Sequence, residues 1–136
     1  MNANTFFLCT VFILGVACTA LSQSTNAPPP GKIGDTRKPL VTFVELGSVK
    51  CIPCRQMQPV MKAIEQKYGP QVSVVFHDVW KADEREYAVK YSIRVIPTQV
   101  FLDKEGKEFF RHEGFFPEEE IDKLLQKQGL KARGGG

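Results

Sequence analysis

Histidine and tryptophan are scarce in this chain, and no cysteine cluster is large enough to close a metal site alone. Its 136 residues include two histidines, His77 and His112, one tryptophan and four cysteines. A structural zinc site takes four ligands at characteristic spacings, and with a single Cys-x-x-Cys the remaining two would have to come from that thin supply. The formal charge of +3 is spread over segments of mixed sign. With no basic block and no interleaving of basic and aromatic residues, the chain lacks the footprint of a nucleic-acid binder. Membrane-length apolar runs are missing too: residues 6–20 (FFLCTVFILGVACTA) are apolar or small and uncharged, but fall short of the roughly 20 residues that span a bilayer.

That length suits the apolar region of a secretion signal, with Ala20 and Ser22 as the small residues read by a signal peptidase and cleavage before Gln23. Residues 1–5 contain no Lys or Arg, which leaves the terminal amine as the positive flank. Two alternatives stand beside cleavage: an uncleaved N-terminal anchor, and lipidation of Cys18, where Gly15 occupies the position of the expected Leu-like residue. The protein is therefore expected to be exported, to a periplasmic or other extracytoplasmic site. Loss of 1–22 removes Cys9 and Cys18 and leaves Cys51 and Cys54 as the whole cysteine complement. Residues 23–37 (QSTNAPPPGKIGDTR) cannot bury enough apolar surface to offset their ordering entropy and read as a flexible linker. A short extra strand near Gly31 and Gly34 is the alternative for its second half.

The domain proper, 38–130, is organised around Cys51-Ile52-Pro53-Cys54, set between the apolar run 40–44 and a helix-like run 55–68. A thiol at a strand-to-helix junction meets unpaired helix N–H groups and the positive end of the dipole, so Cys51 is expected to ionise readily and act as nucleophile. Three residues on, Cys54 shares a helix face with it and is placed to resolve any mixed disulfide. Pro53 is tolerated in the first turn and stiffens the loop. As a mere staple the pair is weak: closing so short a loop restrains the unfolded chain by only about 2 kcal/mol, against about 3 for a 15-residue loop. Glu45, just ahead of the cysteines, is either a solvated strand-end residue or a partly buried proton acceptor behind the resolving thiol.

Along the rest of the chain, 38–46 and 72–79 are continuous apolar runs, expected as central strands. Met57, Val60, Met61, Ile64 and Tyr68 recur at helical spacing before Gly69 and Pro70 stop the helix. His77 and Asp78, near the end of the second strand, read either as functional residues or, the commoner outcome, as a solvent-facing polar pair, and Trp80 as packing or docking. Residues 82–91 (ADEREYAVKY) place acids early and a base late, as the helix dipole favours. The runs 99–102 and 107–112 around the turn 103–106 predict a hairpin, and 117–128 an amphipathic helix followed by a frayed tail, 131–136. The order strand, helix, strand, helix, strand, strand, helix gives an α/β fold: one mixed four-stranded sheet, with a possible fifth N-terminal strand, flanked by helices.

Cys51-Ile52-Pro53-Cys54, Pro59 five residues after the second cysteine, the run 90–98 (KYSIRVIPT) and Gly114 after the last strand together resemble the thioredoxin family, in particular exported bacterial thioredoxin-like proteins with a Cys-Ile-Pro-Cys centre. The resemblance implies a cis Pro97 beside the cysteines, Ile96 offering backbone groups to an extended substrate, and Glu45 in the place of a buried acid, usually Asp, that assists Cys54. It further implies a redox-active disulfide and no cofactor or metal. Lys50 stands where the family has Trp, which removes an aromatic docking face and adds a cation that favours thiolate. Ile96-Pro97-Thr98 resembles the reducing branch. The function implied is a monomeric thiol–disulfide oxidoreductase acting on protein disulfides, with electrons from a membrane thiol carrier. A disulfide-forming oxidant or isomerase, or a non-enzymatic binding module using Trp80 or the pair Phe115 and Phe116, are the alternatives.

Overall fold

A computed structural model describes residues 38–134. The expected signal, linker and extra strand near Gly31 and Gly34 lie outside the described residues. The observed order is β1 (Val41–Gly47), α1 (Ile52–Tyr68), β2 (Val72–Asp78), α2 (Glu86–Lys90), β3 (Thr98–Asp103), β4 (Glu108–Glu113) and α3 (Glu118–Lys127). The sheet runs β2-β1-β3-β4, with β1 parallel to β2 and antiparallel to β3, and β3 antiparallel to β4.

Strand β1 is central, as its continuous apolar run predicts, and α1 supplies the long crossover that a parallel β1–β2 pair requires. Successive side chains of β1 point to opposite faces. Val41 and Phe43 join Met57, Met61, Ile64 and Tyr68 of α1 and Ile121 and Leu125 of α3 in one core cluster. Val44 and Leu46 pack on the other face with Val79 and Val100, against Tyr87, Ala88 and Tyr91. Phe43 stacks on its register partner Phe101, with ring centroids 4.7 Å apart. Spacings of three and four between Met57, Met61, Ile64 and Tyr68 make one buried stripe, which ends where Gly69 takes φ +55°.

Two expectations need correction. Strand β2 is an edge strand among the described residues, not a central one. Its unbroken apolar run reflects cover on both faces: Val74 and Phe76 pack under the α1-side core, while His77 stacks on Tyr87 at 3.5 Å. The helix expected over 82–91 shortens to Glu86–Lys90. Ahead of it the backbone makes three-residue turns, Glu84 N–H to Lys81 O and Tyr87 N–H to Glu84 O, because the Glu84 carboxylate is drawn back to the Asp78 N–H (3.1 Å) and to His77. The chain after α3 stays against the domain as far as Arg133. Leu130 is buried, the Gln71 amide brackets Lys131 through both its N–H and C=O, and the Arg133 N–H donates to Lys67 O at 2.8 Å.

Candidate redox site

The end of β1 delivers the chain into the cysteine loop. Cys51 N–H donates to Ser48 O at 3.1 Å, and Cys51 then serves as N-cap of α1, its Sγ accepting from the Cys54 N–H at 3.4 Å. Its C=O receives the Arg55 N–H, the first bond of the helix. Cys51 and Cys54 are joined by a disulfide with Cα atoms 5.2 Å apart. They are unequally placed: Cys51 retains 8% exposure and Cys54 none. Ile52 is 66% exposed, and Lys50 and Pro53 are exposed beside it.

Gly47 backs the pair. A Cβ added there would stand 3.1 Å from Cys54 Cβ, 3.2 Å from its Sγ and 3.4 Å from Phe76 Cε2. Only a residue without a side chain fits without displacing the sulfur. Gly47→Ala is therefore expected to cost about 1–2 kcal/mol of stability through overpacking, read as a lower denaturant midpoint of the oxidised protein with an unchanged m-value. An unchanged midpoint would contradict this account of Gly47.

Two residues earlier on the same face lies Glu45, with no solvent exposure. Burial pushes its carboxyl up to about 8, and the facing Gln99 amide exerts the smaller, opposing pull. The amide lies close enough to act on the charge, yet neither carboxyl oxygen is in hydrogen-bond geometry with it or with any other group among the described residues. The solvated strand-end reading of Glu45 is thus excluded; it is a buried acid with a proton affinity near neutrality. The sheet brings the third stretch to the same end: Thr98, first residue of β3, pairs with Leu46. The Ile96–Pro97 bond is cis, the Pro97 C=O accepts the Gly114 N–H at 2.8 Å, and the Thr98 hydroxyl donates to Val95 O at 2.6 Å. Pro97 and Thr98 are buried and Ile96 is half-buried.

Asp78 is a site-supporting residue that sequence reasoning put in solvent. It is 2% exposed and its carboxylate accepts from the N–H groups of Val49 and Trp80, tying the loop after β1 to the loop after β2. Burial alone raises its pKa, but bonds from Ser48, Val49 and Trp80 and the Lys81 charge hold it below the ordinary value. Its position at the end of an apolar strand gave no sign of this; a carboxylate followed by a turn was the available signal. His77 is half-buried, stacked on Tyr87 and paired with Glu84, away from the cysteines on the opposite sheet face. Of the aromatic pair read as a docking element, Phe116 belongs to the core and Phe115 is exposed. Trp80 is 55% exposed. Among the described residues, no group of three or more His, Cys, Asp or Glu is placed to hold a metal ion, and no helix is long and apolar enough to cross a membrane.

The arrangement is that of a disulfide pair with one slightly exposed cysteine and one fully enclosed cysteine, and with a buried acid two residues before the glycine that packs on Cys54. Comparison with known proteins agrees. Residues 31–129 match the family described as the thioredoxin-like domain. Thioredoxin of Bacillus subtilis (strain 168) is 34% identical over 87 residues, covering 64% of this chain and 81% of that protein. Thioredoxin of Porphyra purpurea is 29% identical over 108 residues, 79% of this chain and 96% of that one. Among solved structures, a mutant thioredoxin from Halobacterium salinarum superposes with a TM-score of 0.58 at 23% identity, over 66% of this chain and 75% of that chain, a likeness of fold. The chain belongs to the family of thioredoxin-like domains.

Proposed function

We propose that this protein is a thiol–disulfide oxidoreductase that reduces protein disulfides outside the cytoplasm. The observation that carries the reading is the Cys51–Cys54 pair at the N-terminus of α1, with Cys51 slightly exposed and Cys54 fully enclosed. In the reduced form, the Cys54 N–H aimed at Cys51 Sγ and the helix dipole favour negative charge on that sulfur. The Cys51 thiolate attacks a substrate disulfide, forming a mixed disulfide and releasing one substrate thiolate. Cys54 then loses its proton to the Glu45 carboxylate, and its thiolate attacks Cys51 Sγ. This restores the Cys51–Cys54 disulfide and releases the second substrate thiolate, so two electrons pass from protein to substrate. Lys50 and Ile52 flank the attacking sulfur, and the backbone at Ile96, Pro97 and Thr98 receives an extended substrate segment.

A monomer re-reduced by a membrane thiol carrier, exported by the segment 1–22, completes the proposal. The uncharged run 6–20 supports the export step. N-terminal sequencing of the exported protein is expected to begin at Gln23; a mature chain that begins at Met1 contradicts cleavage.

Direction is decided by potential. Equilibration of the Cys51–Cys54 couple against glutathione buffers is expected to give a value in the reducing range, near the roughly −270 mV of thioredoxins. A value near the roughly −120 mV of strong periplasmic oxidants would reassign the protein to disulfide formation.

A further inference from the structure

Two fully buried polar side chains face each other across β1 and β3. Glu45 stands opposite Gln99 in the antiparallel register, both with no solvent exposure. Neither carboxyl oxygen and neither amide atom has a hydrogen-bond partner among the described residues. Burying an amide this way costs free energy that a leucine or methionine in the same space would not.

Strand alternation puts both on the α1 face of the sheet, with Phe43 and Gly47 on β1 and Phe101 on β3. At the level of Glu45 the row across the sheet reads Phe76, Glu45, Gln99, His112. The titratable group in that row is, beyond Gln99, the half-buried His112 of β4, and two residues along β1 on the same face Gly47 packs against Cys54. β2 contributes the hydrocarbon ring of Phe76, and no lysine or arginine enters the row.

A primary amide can serve both forms of a carboxyl group. Its NH₂ donates to a carboxylate, and its C=O accepts from a carboxylic acid. We propose that Gln99 is a positioning residue for Glu45, its amide satisfying the ionised carboxyl in one orientation and the protonated carboxyl in the other, so that Glu45 exchanges a proton with Cys54 without standing as an unpaired buried charge. The cross-strand placement brings the two groups together: Gln99 is the only polar neighbour of Glu45 in the row, and neither side chain has a hydrogen-bond partner among the described residues. The proposal rests on the reading of Glu45 as the proton acceptor for Cys54.

The test uses the full chain with Gln99→Met, which keeps length and volume and removes both polar atoms. The Glu45 carboxyl is followed by its ¹³C shift against pH, assigned by its loss in Glu45→Gln, and mixed-disulfide resolution is followed in single turnover. The Glu45 midpoint is expected to move up by about one pH unit, the worth of one hydrogen bond to the charged form. Resolution at pH 7 is expected to slow by about tenfold, as the ionised fraction falls, with its pH profile displaced to match. A residue that only fills space would alter the melting temperature and leave the midpoint where it is. An unmoved midpoint in folded Gln99→Met, or in Gln99→Leu if the methionine variant does not fold, overturns the proposal. Wild-type resolution by Glu45→Gln is a separate result: it removes Glu45 from the proton transfer, whereas the ¹³C midpoint still reports whether Gln99 governs that carboxyl.

Discussion

Cys51→Ser is expected to lose reduction of insulin disulfides by at least on the order of 10³-fold, to the background set by the reductant alone, because the sulfur that opens the substrate disulfide is gone. Cys54→Ala is expected to fail differently. Its Cys51 still attacks, but no second thiolate displaces the product, so the variant accumulates as a covalent mixed disulfide that dithiothreitol releases. The contrast follows from the burial of the two sulfurs, 8% against none, and from the N-cap position of Cys51. Non-reducing electrophoresis with mass spectrometry separates the cases. Equal trapping by Cys51→Ala and Cys54→Ala would remove the assignment of roles, and turnover by Cys51→Ser at the wild-type rate would remove the enzymatic reading altogether.

Stability of the oxidised protein is expected to fall as pH rises from 5 to 9, and Glu45→Gln to abolish most of that slope. The Glu45 carboxyl is raised from 4.5 to about 8 in the fold, chiefly by burial. Between those values the folded state holds a proton that the unfolded chain releases. The contribution is therefore fully present below about pH 4.5, declines as pH rises through about 8 and is lost above it. At about 1.36 kcal/mol per pH unit the change across that window is on the order of 4–5 kcal/mol. Other shifted groups act elsewhere. Asp78 and Glu108 are lowered and matter in acid, while Lys67, Tyr68, Lys123 and Arg111 are raised and matter in strong base. Urea midpoints of wild type and Glu45→Gln across pH 5–9 read the difference. Parallel curves would mean that Glu45 is not a buried acid.

The strength of β1 as a sequence signal came from apolar residues on both faces, and its pairing on both edges is the reason for that pattern. The same pattern misled at β2, where helix and loop side chains cover an edge strand and stand in for a missing neighbour. Periodicity reports burial of a face and not the number of hydrogen-bonded strands beside it. α1 was legible because its stripe, Met57 to Tyr68, and its stop at Gly69 are local. α2 was not, since the Glu84 side chain bonds to the end of β2, a contact that no window of sequence contains.

At the site, the cysteines and Pro53 could be read from spacing alone because three residues of helix geometry connect them. Glu45 was ambiguous between solvent and burial until β3 closed over it. Gln99 carried no signal at all: a glutamine opening a strand is ordinary, and its meaning comes from the register that sets it against Glu45. Asp78 was misplaced for the same reason, as its partners Val49 and Trp80 lie in two different loops.

One measurement bears most directly on the whole account: brief alkylation of the fully reduced chain with iodoacetamide near pH 6.5, mapped by peptide mass. Modification is expected at Cys51, rapidly and with a rate that levels off as its thiolate forms, while Cys54 stays free. Modification of Cys54 first, or of both sulfurs at the slow rate of ordinary thiols, would contradict it.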